Sequence, residues 1–147
     1  MNKKYALIFS VALSVALLDQ FAKFFVTHNF KLHESVPIIK NILRITYIIN
    51  TGSAFGLFQG FNLIFILFSI VVIIAIFYYM AKKIENKKIL QFAVGLLLGG
   101  TLGNLIDRIL HGAVIDFIDF RIWPVFNVAD SAVTISIILL VIILWKK

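Results

Sequence analysis

Four aspartates, Asp107, Asp116, Asp119 and Asp130, fall within 24 residues of a 147-residue chain that is 61% hydrophobic and holds only seven acids. An ionisable side chain at bilayer depth costs roughly 2.5–3.5 kcal/mol even on lenient insertion scales, so such groups mark function by default. Rival chemistries are poorly supplied. The chain has no cysteine, which excludes thiol catalysis, disulfides and Cys-ligated metals. Ser53, Ser131 and Thr134 have no histidine or lysine base near them in sequence. His28, His33 and His111 lack metal-ligand spacing and read as interfacial histidines. The carboxylates are where chemistry is to be sought.

Their contexts differ. Asp116 lies mid-strand between Ile115 and Phe117, and period-two alternation puts it on one face with Val114, Ile118 and Phe120. No structural purpose for a carboxylate on that apolar face is evident. Asp119 takes the opposite face with Arg121, where a local ion pair accounts for it. Asp130 is the third helical residue after Asn127, a spacing that imitates a capping box at a helix start. Cap and catalyst are compatible readings of it, and both stay open. Gly100, Asn104 and Arg108 recur every four residues, a polar file within reach of a partner backbone or a substrate. Asp107 either joins that file or forms a structural anchor with Arg108. Asp19 and Lys23, one turn apart, can pair with each other and support the helix end beside the site.

The elements that must position these groups are membrane helices. A mean hydropathy of +1.01 and long Ile, Leu, Val and Phe runs exceed what a soluble domain of this size can bury. About 20 apolar residues cross a bilayer, and four segments approach that: 5–27, 62–81, 89–109 and 128–145, the last the shortest. The first is expected to be a retained span rather than a cleaved signal, since no small-residue cleavage site follows it. Lys3, Lys4, Lys82, Lys83, Lys87, Lys88, Lys146 and Lys147 fall on one side with only Glu85 against them, while the other side holds equal numbers of basic and acidic residues. The net charge of +7 is therefore topological and not a nucleic-acid footprint; the positive-inside rule predicts cytoplasmic termini and an outward aspartate cluster. Gly95, Gly99 and Gly103 form a stripe suited to close helix packing. Ile42–Ile49, ending in the turn Asn50-Thr51-Gly52, and Val114–Ile122, stopped by Pro124, read as strands. The expected fold is an all-α polytopic membrane protein of four transmembrane helices with a small β cradle on the outer face, one domain over residues 1–147.

Five blocks then stand in order: Asp19-Gln20-Phe21-Ala22-Lys23, Asn50-Thr51-Gly52-Ser53-Ala54-Phe55, Gly99 through Arg108, Gly112-Ala113-Val114-Ile115-Asp116-Phe117, and Phe126-Asn127-Val128-Ala129-Asp130-Ser131. In these blocks the chain resembles the lipoprotein signal peptidases (signal peptidase II), membrane aspartic peptidases of bacteria. The resemblance implies four spans with a β cradle and a short outer helix. It further implies catalytic Asp116 and Asp130, substrate-binding Asn50, Gly52, Asn104, Arg108 and Asn127, and structural support from Asp19, Lys23 and Asp107. The stretch from Asp116 to Asp130 is shorter than is usual in that family.

The implied reaction hydrolyses the bond on the amino side of a diacylglyceryl-modified cysteine in a prolipoprotein, without metal or cofactor. Of two carboxylates sharing a site, the ionised one serves as base to water and the protonated one binds the scissile carbonyl; Asp130 is expected to be the base. The implied setting is the bacterial inner membrane, with membrane lipids as neighbours and the protein a monomer. Two other classes compete: an ion or proton channel or transporter subunit using its acids as relays, against which the acids gather at one end, and a non-enzymatic assembly factor pairing through the glycine stripe.

Overall fold

A computed structural model describes residues 3–52, 58–83 and 87–145. Ser53, Ala54 and Phe55 of the second block, Glu85, Lys146 and Lys147 lie outside them. Among these residues four long helices and three strands follow in the order α1 (Lys3–Asn29), β1 (Ser35–Ile39), β2 (Leu43–Asn50), α2 (Asn62–Lys83), α3 (Lys88–His111), β3 (Val114–Asp119) and α4 (Val128–Trp145). Among the described residues α1, α2 and α3 are long and apolar enough to cross a membrane, while the apolar stretch of α4, Val128–Ile143, is shorter. Leu17, Phe21, Leu67, Phe68 and Ile138 stand exposed on three of the helices, as side chains facing lipid do. The short outer helix that the resemblance implies is absent among the described residues.

Helix α3 is the hub. It packs on α1 through Gly95 and Gly99, where an added Cβ would lie 2.8 Å from the Val11 Cβ and 2.6 Å from the Ala12 carbonyl oxygen. It packs on α4 through Gly100, where a Cβ would lie 2.5 Å from the Ala129 carbonyl oxygen. Lipid supplies no hydrophobic drive for helices to associate, so backbones that approach this closely are what bind them. The stripe thus packs helices, as its spacing predicts. At the end away from the sheet, Ile8, Ala12, Ile76, Met80, Leu90, Val94 and Leu98 close an apolar core. Helix α3 stops at Gly112, whose φ of 72° supplies the left-handed residue that ends a helix.

The sheet has the order β1-β2-β3, antiparallel throughout. β3 starts at Val114 as expected, whereas β2 starts and ends one residue later than the expected Ile42–Ile49 and takes in Asn50. β3 ends at Asp119 rather than Ile122, because the Asp119 carboxylate accepts the backbone N–H of Arg121 (2.7 Å), which turns the chain. β1 was not legible in the sequence: it holds Pro37, and only its position at the sheet edge tolerates a residue without an N–H. A bulge in β2 separates the pairs Ile45–Ile118 and Ile48–Asp116. Beyond β3 the chain returns to it: Phe126 accepts from the N–H groups of Phe117 (3.0 Å) and Ile118 (2.7 Å) and donates to the Ile118 carbonyl (3.1 Å). That return lays the start of α4 beside the middle of β3.

Candidate active site

Asn127, fully buried, is the side chain that joins the two aspartates. Its Oδ1 accepts the Asp130 N–H (2.8 Å) while Asp130 Oδ2 accepts the Asn127 N–H (3.3 Å), so the capping box predicted from spacing is formed. Its Nδ2 donates to Asp116 Oδ1 (2.7 Å). Cap and carboxylate pair are thus one structure. The second oxygen of Asp116 accepts from Asn50 Nδ2 (2.9 Å), and Asp130 Oδ1 accepts from Asn104 Nδ2 (2.7 Å). Asn50 is held in turn by the N–H of Gly52, which donates to its Oδ1 (3.0 Å). Each carboxylate oxygen therefore has an amide donor, from a side chain or from the backbone.

Burial pushes the Asp116 carboxyl up to about 7, and the nearby negative charge of Asp130 adds to the rise; hydrogen bonds from Asn50 and Asn127 and the charge of Lys23 offset part of it. A carboxyl in that range exchanges its proton near neutral pH, the property an acid–base catalyst requires.

The pair faces a cleft of about 850 Å³ that also meets Asn50, Gly52, Asn104 and Arg108. Its remaining wall is largely apolar, with Phe126, Val133 and Ile135 among its members. Val114, Asp116 and Phe120 face this cleft, whereas Ala113 and Ile115 face a smaller cavity of about 420 Å³ on the other side. The alternation read from the sequence is thus observed for Val114, Asp116 and Phe120, while Ile118, expected on the same face, does not line the cleft. Arg108 donates through Nη2 to the Gly52 carbonyl (3.2 Å), and its guanidinium lies 4.4 Å from the Phe65 ring centroid. Its Nη1 is buried with no hydrogen-bond partner among the described residues.

Asp19, Lys23 and Asp107 form a buried cluster next to the pair rather than part of the cleft. Lys23 Nζ lies 2.7 Å from Asp19 Oδ2 and 2.8 Å from Asp107 Oδ2. Asp107 thus pairs with Lys23, not with its neighbour Arg108. Asp119 differs from expectation as well: its second oxygen accepts from Thr46 Oγ1 (2.7 Å), and its contact with Arg121 is the backbone bond rather than an ion pair. Ser131 and Thr134 line the cleft, but the Ser131 hydroxyl is spent on the Asn127 carbonyl (2.9 Å). His28 and His111 line the smaller cavity, and His33 is tied into the sheet through its N–H to the Tyr47 carbonyl (2.8 Å). Among the described residues no group of three or more His, Cys, Asp or Glu is arranged to hold a metal.

Gln20 and Phe65 escaped the sequence reading as site residues. Gln20 donates to Asp107 Oδ1 (2.8 Å) and to the Gly103 carbonyl (3.2 Å); its signal was a polar amide beside Asp19 inside an apolar span. Phe65 carried no signal, since an apolar residue on a lipid-facing helix is unremarked until α2 docks against α3.

The family model described as signal peptidase (SPase) II matches residues 11–146. A lipoprotein signal peptidase of Halothermothrix orenii is 46% identical over 143 residues, 96% of this chain and 97% of that one. A lipoprotein signal peptidase of Staphylococcus aureus is 40% identical over 152 residues, covering 99% and 93%. A solved bacterial membrane enzyme superposes with a TM-score of 0.91 at 38% identity, over 95% of this chain and 87% of the other.

Proposed function

The chain belongs to the signal peptidase II family, bacterial proteases of lipoprotein processing, and from that premise we propose that Asp116 and Asp130 are the groups that carry out its peptide hydrolysis. The observation that carries the reading is the shared residue Asn127: its Nδ2 donates to the Asp116 carboxylate, its backbone N–H donates to the Asp130 carboxylate and its Oδ1 accepts the Asp130 N–H, where the two aspartates face one cleft.

Asp130 sits in the first turn of α4, where the helix dipole favours a negative charge, and it serves as base. As the water oxygen bonds to the scissile carbonyl carbon, Asp130 takes the water proton and Asp116 gives its own proton to the carbonyl oxygen. When the tetrahedral intermediate collapses, the C–N bond breaks, the proton on Asp130 passes to the leaving amine and Asp116 recovers its proton. Both groups end as they began, and the step needs no metal or cofactor.

The substrate is a prolipoprotein, cut on the amino side of its diacylglyceryl-modified cysteine. The apolar wall of the cleft suits the acyl chains, and the open Nη1 of Arg108 suits a backbone carbonyl of an extended peptide, whose polar groups must be paired once they leave water. Asn50, Gly52, Asn104 and Asn127 line or support the peptide path, chiefly by fixing the carboxylates and Arg108. Asp19, Lys23 and Asp107 stand behind them. Helix α4 completes a single four-span domain, lying nearly upright to cover the bilayer. Both termini are cytoplasmic, with the cleft at the outer face of the inner membrane, where water and lipid are both at hand. The protein works as a monomer among membrane lipids.

The test is cleavage by purified protein of a diacylglyceryl-modified pro-protein, compared with the same pro-protein lacking its lipid. Asp116→Asn and Asp130→Asn are each expected to lower kcat by about 10²–10⁴-fold or more while the protein stays folded. Full activity in either variant refutes the pair.

A further inference from the structure

The peptide N–H immediately before each aspartate is held by a carboxylate of one buried cluster. Ile115, which precedes Asp116, donates its N–H to Asp107 Oδ2 (3.0 Å). Ala129, which precedes Asp130, donates its N–H to Asp19 Oδ1 (2.9 Å). Asp107 belongs to α3 and Asp19 to α1, so nothing local fixes the distance between these two anchors. Two side chains of α1 join them: Lys23, whose ammonium lies within 2.8 Å of both carboxylates, and more loosely Gln20, whose Nε2 donates to Asp107 Oδ1 (2.8 Å) and to Asp19 Oδ2 (3.4 Å); only Lys23 brings a charge to them.

The third N–H of that ammonium goes to Asn104 Oδ1 (3.1 Å), which also accepts from Asn127 Nδ2 (3.1 Å). Two donors on Asn104 Oδ1 leave its NH₂ only one way to point, and that is at Asp130. A flipped Asn104 amide would set its NH₂ against an ammonium that has no acceptor to offer. Gly103 makes the approach possible: a Cβ there would lie 2.7 Å from Asp19 Oδ2 and 3.2 Å from the Ala129 Cβ.

We infer that Lys23 is a positioning residue for the aspartate pair, setting the separation of the two peptide segments that carry Asp116 and Asp130 and the donor sense of Asn104. The inference rests on the reading that those aspartates are the reacting groups. It goes beyond support of a helix end, because it assigns to one cation the geometry of both.

A residue with this role acts on turnover. Lys23→Met keeps the length and apolar stem of the side chain and removes its charge and its donors. In the full-length protein in lipid nanodiscs, with a diacylglyceryl-modified substrate, it is expected to lower kcat about 100-fold or more, the penalty of misplaced reacting groups. KM should stay within about twofold, since Arg108 and the apolar wall are untouched.

The pH profile supplies a second readout. The groups around Lys23 are Asp19 on its own helix, Gln20 and Asp107 beside it, Asp130 beyond Asn104, and Asp116 across the site; His28 and His111 line the cavity behind it and Arg108 the cleft in front. The Lys23 charge favours ionised Asp116, so its removal should move the alkaline limb of kcat to higher pH. A role confined to stability would lower the unfolding midpoint and leave kcat of the folded protein in place.

Should Lys23→Met fail to fold, the charge-balanced Asp19→Asn/Lys23→Met pair is measured instead. The amide oxygen that replaces the carboxylate on α1 can still accept the Ala129 N–H, and the same loss of kcat is expected. An unchanged kcat and pH limb in the folded variant overturns the inference, as does a loss confined to KM. Asp116→Asn and Asp130→Asn, run beside it, separate the two failures: if either of those is fully active the premise falls, and if both are dead while Lys23→Met turns over normally, only the role of Lys23 falls.

Discussion

Helix α3 has two ends that are packed in opposite ways. Toward its start, Leu90, Val94 and Leu98 meet Ile8, Ala12, Ile76 and Met80 in an apolar core, and Gly95 and Gly99 bring α1 into backbone contact. Toward its finish, Asn104 and Asp107 meet Asp19, Gln20, Lys23 and Asn127 in a buried polar network. Dispersion contacts carry no direction, so the first end fixes how closely helices lie but tolerates exchange of one apolar shape for another. Hydrogen bonds and ion pairs are directional, and a buried one left half-made costs more than one never formed. The second end therefore fixes positions, at a cost the first end must offset. The lesson is a division of labour along a single helix: packing at one end, geometry at the other.

That division can be broken most severely at Asn127. Asn127→Ala removes the donor to Asp116, the cap on α4 and the link to Asn104 together. A fall in kcat of about 100-fold or more is expected, along with about 1 kcal/mol of stability from the lost cap. Kinetics on lipidated substrate and thermal unfolding of the same sample measure the two effects. Normal turnover would show that neither the cap nor the bond to Asp116 is needed to set the pair.

The other end is probed by Leu98→Ala, which opens a cavity in the apolar core. A loss of about 2–5 kcal/mol in stability is expected, with kcat of the folded fraction unchanged. A proportional loss of kcat would mean that the two ends are mechanically one.

The gentlest probe is pH. The folded Asp116 carboxyl lies near 7, above its ordinary range, so the native state holds this proton more tightly than the unfolded chain. The stability this contributes is full below about pH 4 and is lost as pH rises through 7. Relative to Asp116→Asn, the wild-type protein should weaken gradually between those limits and level off above, by on the order of a few kcal/mol spread over the interval. Unfolding midpoints of both proteins from pH 4 to 8 would show it, and parallel curves would contradict the burial of a titrating carboxylate.

How far the sequence could be read follows the same line. The apolar runs, the glycine spacing and the alternation around Asp116 are local patterns with periods of 3.6, 4 and 2, and each was legible because neighbours in sequence are neighbours on a helix or strand. The Asn127–Asp130 cap was legible for that reason too. Spacing did not reveal that the other end of Asn127 holds Asp116, for that bond depends on Phe126 returning to β3. Asp107 beside Arg108 invited a local anchor, yet its partner is Lys23, far away on α1. Asp119 beside Arg121 invited an ion pair, yet Thr46 on β2 takes its oxygen.

By itself, then, the sequence determined the long apolar helices, the grouping of the lysines near their ends, the face of β3 that carries Asp116 and the blocks by which the family is recognised. Tertiary structure decided which acids are isolated, which are neutralised and which are joined. The physical reason is range: helix, strand and cap are set by contacts a few residues apart, whereas a buried carboxylate takes its character from whichever cation or amide the fold brings to it. The four crowded aspartates look alike in sequence. Only the packing of α1, β2 and α4 around α3 and β3 gives them different partners.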